Sequence, residues 1–95
     1  MNFPAEDLDE VRYLNVGDWY EEYILLENHY ITSGRWSERW EMIFRHNGKF
    51  WGVMYEVPST EMQEGMDSFD QNLDGTVDVY EVEPYEVTVT KYRKA

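Results

Sequence analysis

The stretch RWEMIFRHNGKFWGVMYEV, residues 39–57, decides the fold. Asn47-Gly48 lies between two runs in which apolar and polar residues alternate, the strongest short-range signal for a hairpin with a two-residue turn. Such a turn pairs His46 with Lys49. Phe44 then faces Trp51, Met42 faces Val53, and Trp40 faces Tyr55. All six apolar side chains share one face, which is what a hairpin laid on a core requires.

Working outward, residues 19–32 (WYEEYILLENHYIT) are rich in strand formers and run into Ser33-Gly34, a turn signal. They are expected to pair with the 38–46 strand, in a register the pattern leaves open. Residues 5–14 read as a short helix with Pro4 in its first turn and Leu8 and Val11 inward. A strand over residues 11–16, turning at Gly17-Asp18, competes with that helix. Downstream, residues 76–83 and 85–92 read as two short strands broken at Pro84, which has no N–H for a ladder. Met62, Met66 and Phe69 follow Ser59 and Thr60 at helical spacing, so a short amphipathic helix is expected there, at a cost of about 1 kcal/mol for Gly65. The expectation is one α+β, mainly β domain over residues 1–95: an antiparallel meander of four to five strands with one or two short helices.

The chain has 95 residues, 42% hydrophobic and 17% aromatic, enough apolar mass for a core despite a net charge of −12. Cysteine is absent, which excludes disulfides and thiolate metal sites. The segment MNFPAEDLDEV has no basic region followed by an apolar run, so no signal peptide is expected. No apolar stretch approaches the roughly 18 residues of a membrane span. Together these point to a cytoplasmic protein.

The charge is unevenly spread. Residues 1–27 hold eight acids against Arg12 alone, residues 28–57 are nearly balanced, and residues 58–86 hold nine acids and no base. Lys91, Arg93 and Lys94 follow. A field of this sign repels nucleic acid and anionic membranes and attracts cations or basic protein surfaces. Plain solubility is the alternative use of such charge.

Residues 70–81, DQNLDGTVDVYE, place oxygen donors at positions 1, 3, 5, 7, 9 and 12: Asp70, Asn72, Asp74, the Thr76 carbonyl, Asp78 and Glu81. Gly75 stands at position 6, where the chain turns, and Val77 at position 8. The match to D-x-[DN]-x-[DN]-G-x5-E is complete. With Met62, Met66 and Phe69 ahead of it, the stretch resembles an EF-hand calcium loop and its entering helix, over residues 62–81. The resemblance implies a calcium ion held by those six residues. The exit side departs from the pattern, because Val79, Tyr80 and Val82 favour strand and Pro84 biases Glu83 away from helix. A strand would then have to present Glu81.

His29 and His46 are the only histidines, each in or beside an expected strand, and structural roles suit both. No nucleophile–base pair, phosphate loop or triad assembles, so no enzyme is expected. The four tryptophans and eight tyrosines exceed what a small core holds, and exposed aromatics mark interfaces. Trp36, beside Arg35 in a turn, is the first candidate for exposure.

Two function classes follow. In the first, the chain is a non-catalytic acidic protein that occupies a basic, nucleic-acid-binding surface of another protein, without binding nucleic acid or membrane itself. Same-face carboxylates along a strand, such as Glu81 and Glu83, stand about 6.6 Å apart, near two axial phosphate steps of about 3.4 Å. In size, charge and aromatic content the whole chain resembles small acidic phage-encoded inhibitors and DNA mimics, which implies work in the host cytoplasm. Partner contacts are expected at Glu21, Glu22, Glu61, Glu64, Glu83 and Glu86, with Trp36 as the aromatic contact. In the second class the chain is a calcium-dependent module centred on residues 70–81. The first is favoured, because the loop leaves the acidic first third unused.

Overall fold

The computed structural model describes residues 1–58 and 69–95. In chain order the elements are β1 (Asn2–Pro4), α1 (Ala5–Arg12), β2 (Trp19–Tyr20), β3 (Tyr23–Ser33), β4 (Ser37–His46), β5 (Lys49–Pro58), β6 (Thr76–Asp78) and β7 (Tyr80–Val82). One antiparallel sheet has the order β2-β3-β4-β5-β7, and a second, two-stranded sheet pairs β1 with β6. The fold is mainly β and antiparallel, as the alternation predicts.

The β4–β5 hairpin has the register read from the sequence. His46 pairs with Lys49, Phe44 with Trp51, Met42 with Val53 and Trp40 with Tyr55. Asn47 and Gly48 both have positive φ, at 52° and 75°, as a type I′ turn needs. Met42, Phe44, Trp51, Val53 and Tyr55 are buried on the inner face, and Trp40 packs at its margin.

Residues 19–32 are not one strand. They fold back on themselves at Glu21-Glu22, so that Tyr20 pairs with Tyr23 and only β3 runs along β4. The β3–β4 register slips twice, at Leu26 and at Ile31. Each bulge inserts one residue without a cross-strand partner. The expected Ser33-Gly34 turn is present, with Gly34 N–H donating to the Ser37 carbonyl at 2.8 Å.

Between the two readings of residues 5–16, the helix forms. Pro4 precedes α1 at φ −58° and ψ 132°, Glu6 and Asp7 occupy the first turn, and Ala5, Leu8 and Val11 are buried. Acids at a helix N-terminus suit its dipole. The Ala5 N–H donates to the Gly75 carbonyl at 3.0 Å and so ties the helix to the start of β6. The helix lies against β2 and β3 on the inner face of the large sheet.

The core closes through a contact between distant parts of the chain. Phe3 of β1 pairs with Val77 of β6. Its ring meets Tyr23, Phe44, His46 and Trp51 edge-on, with centroids 5.0–5.8 Å apart. Residues 76–83 therefore divide between sheets: Val77 belongs to the small one and β7 to the large one, with Val79 buried between them.

The expected strand over residues 85–92 is absent. These residues are exposed, with Tyr85, Val87, Val89 and Tyr92 in solvent. Strand propensity alone gives them no partner for their backbone groups. The helix expected around Met62 and Met66 lies outside the described residues.

Candidate acidic interface

The hairpin tip Glu21-Glu22 is the most unusual local feature. Glu21 has φ 52°, one of two positive values outside glycine among the described residues. A two-residue hairpin with positive φ at its first position alone normally places glycine there, and a side chain in the left-handed region costs about 1–2 kcal/mol. The tip is held by the Tyr20–Tyr23 pair, whose rings stack at 6.4 Å.

Helix α1 brings a second set of acids to that tip. The Tyr23 hydroxyl donates to the Asp7 carboxylate at 3.1 Å. Burial first, and then the Asp7 hydrogen bond and the charges of Asp7, Glu21 and Glu22, hold the Tyr23 hydroxyl well above the usual tyrosine range. The Tyr20 hydroxyl is raised too, first by desolvation and then by Glu21, Asp7, Glu10 and Glu6. The charged groups acting on these two hydroxyls are all acids. Arg12, the one base of this segment, is turned to Asp9 at 2.7 Å and lies over the Tyr13 ring. The outcome is a surface of Glu6, Asp7, Glu10, Glu21 and Glu22 around a tyrosine pair. Trp19, beside Tyr20 in β2, is 60% exposed.

Relieving the strain separates the tip's stability from its charge. Glu21→Gly is expected to raise stability by about 1 kcal/mol, because glycine adopts positive φ freely and one of the crowded carboxylates is removed. For a domain this small that is a rise of roughly 4–8 °C in Tm, read by thermal unfolding. An unchanged or lower Tm would mean that the side chain at Glu21 holds the turn.

The other expected partner residues are dispersed. Glu61 and Glu64 lie outside the described residues. Glu83 and Glu86 are exposed beyond the end of β7. Glu81 pairs with Trp51 on the inner face, whereas Glu83 lines a groove on the outer face, so the two do not form a same-face ladder. Trp36 is exposed, with the Arg35 guanidinium 4.7 Å from its ring centroid. It precedes β4, whose His46 end adjoins Tyr23, so it stands roughly 33 Å of strand from the acidic tip.

Residues 70–81 turn as their spacing predicts, with Gly75 at φ 79°. Four of the six positions gather. Asp74 accepts from the Thr76 N–H at 3.1 Å and from the Thr76 hydroxyl at 2.6 Å. Those bonds hold the Asp74 carboxyl below the usual carboxylate range. The Asn72 amide donates to the Thr76 hydroxyl and to Asp78. With its amide nitrogen turned inward, Asn2 also donates to Asp78. The Thr76 carbonyl accepts from the Asn72 N–H at 2.8 Å. Protein donors thus engage one carboxylate oxygen each of Asp74 and Asp78. Glu81 lies in β7, in the other sheet. Among the described residues no three acids or histidines stand close enough together to hold a metal ion.

The two histidines are built into the sheet. His46 stacks on Tyr23 at 4.4 Å, and His29 pairs with Glu27 at 2.7 Å on the outer face. Tyr80 lies across Gly52 and donates to Glu41. Glu21 and Glu22 are among the expected partner contacts; Glu6, Asp7 and Glu10, which lie near them, are not. Inward Leu8 and Val11 already imply that these acids face outward. That they meet the hairpin tip depends on the topology. No family model, curated protein or solved structure matches this chain.

Proposed function

We propose that this chain is a non-catalytic acidic protein that occupies a basic, nucleic-acid-binding surface of a partner protein. The observation that supports this is the gathering of the α1 acids with Glu21 and Glu22 around Tyr20 and Tyr23, where Tyr23 donates to Asp7 and the one base of the segment, Arg12, is held by Asp9. Carboxylates three and four residues apart on a helix stand about 5–6 Å apart, which lies between one and two axial phosphate steps. Crowding like charges costs folding energy, and so does holding Glu21 at positive φ. Strain retained at one spot points to use of that spot. Trp19 and the tyrosines supply the aromatic contact that interfaces favour.

The experiment is affinity capture from a cell lysate at low salt. A basic, nucleic-acid-binding protein should be retained and should elute between about 50 and 200 mM salt, because ion pairing at an exposed interface is screened. Retention of acidic or neutral proteins only would contradict the reading.

The alternative, a calcium module, has in its favour the gathering of Asn72, Asp74, Thr76 and Asp78. Calorimetry distinguishes the two. The acidic-protein reading expects the same weak, non-saturating calcium heat from the wild-type chain and from Asp70→Asn with Glu81→Gln. Saturable binding of one ion per chain, lost in that double variant, would favour the module.

A further inference from the structure

Residues 85–92 carry the pattern of a strand and pair with no strand among the described residues. Tyr85, Val87 and Val89 alternate with Glu86, Thr88 and Thr90, and the apolar members are exposed. Lys91, Arg93 and Lys94 follow, and none is in an ion pair among the described residues.

The large sheet offers the complementary surface on its opposite side. Strand β2 covers β3 only at Tyr23 and Ile24, and the Leu25 backbone bonds to Gly17 and Asp18. Beyond that point, among the described residues, the edge of β3 over residues 27–33 is unpaired on the side away from β4. Bulges at Leu26 and Ile31 bracket its regular part. Beside this edge the outer face holds a groove floored by Leu26, Ile43 and Phe50, flanked by Glu27 and Glu41, and bounded on its far side by residues 82–85 of the same chain.

We propose that two copies of this chain exchange these segments, residues 85–92 of each adding as a strand to the β3 edge of the other. The added strand completes backbone bonds that an edge otherwise leaves open. Its Val87 and Val89 lie beside the outer face of that edge, and the cations of residues 91–94 reach Glu27 at its start. The segment leaves the sheet from β7, three inter-strand spacings or about 14 Å from β3. Tyr85 lines the groove of its own chain and residues 86–92 run on exposed, and a two-fold exchange satisfies both copies with one closed, self-complementary contact. This association is independent of the acidic tip.

The test is sedimentation of the full chain from about 1 to about 500 μM, with amide hydrogen exchange in parallel. Expected is a concentration-dependent dimer in which the amides of residues 85–92 and 27–33 are protected together. In Val87→Pro with Thr88→Pro, one of the two N–H groups removed must face the partner strand. These residues lie outside both sheets, so the variant should keep the wild-type far-ultraviolet spectrum, remain a monomer, and lose protection at both segments at least tenfold. A monomer at every concentration would overturn the proposal. So would a dimer that the prolines leave unchanged, or a protected segment in a monomer, which would place it on its own chain.

Discussion

Phe44→Ala should lower stability by about 3–5 kcal/mol, the cost of truncating a fully buried aromatic ring. Phe44 is completely buried, packs against Phe3 and Tyr23, and pairs across the hairpin with Trp51. It therefore joins β1, β3 and β5 in one contact. A domain of this size holds roughly 5–15 kcal/mol in all, so the variant should lose a large share of its stability. Denaturant unfolding measures the loss. The control is Arg45→Ala one residue along, whose side chain lies on the outer face near the Phe50 ring, at 5.9 Å. It should change stability by no more than about 0.5 kcal/mol. Equal effects at the two positions would mean that the hairpin does not present one face to the core.

Glu21→Lys with Glu22→Lys should weaken partner binding about a hundredfold or more. A like charge set against a basic surface costs several kcal/mol, and each 1.4 kcal/mol is a factor of ten. The same change should leave the fold intact, because both side chains are exposed and the reversal relieves repulsion with Glu6, Asp7 and Glu10. Glu38→Lys, in the balanced part of the chain, should lower affinity far less. Equilibrium titration of the captured partner compares them. A double reversal that binds as well as the wild-type chain would remove the acidic tip from the interface.

The hairpin was legible because its signals are local: a dipeptide that accepts positive φ, and a two-residue period on each side of it. The helix was legible for the same reason, through Leu8 and Val11 one turn apart. What the sequence hid depends on distant partners. Nothing near Phe3 announces Val77, 74 positions away, as its neighbour. The bulges at Leu26 and Ile31 answer to the fit between β3 and β4, and no residue type there marks them. Glu21-Glu22 escaped as a turn because glutamate is a poor choice for a left-handed residue. Residues 85–92 show the reverse error, strand propensity without an intramolecular ladder. The acidic tip was half visible. Charge counting singled out the first 27 residues, but only the packing of α1 beside the β2–β3 turn selects five of their eight acids and sets Asp9 apart with Arg12.

The claim that this surface stands in for nucleic acid is tested most directly by competition. The captured partner, bound to labelled duplex DNA, is titrated with this chain at about 100 mM salt and followed by fluorescence anisotropy. Full displacement of the DNA is expected, at concentrations that rise about a hundredfold for Glu21→Lys with Glu22→Lys. A ternary complex, in which the partner holds DNA and this chain together, would contradict it.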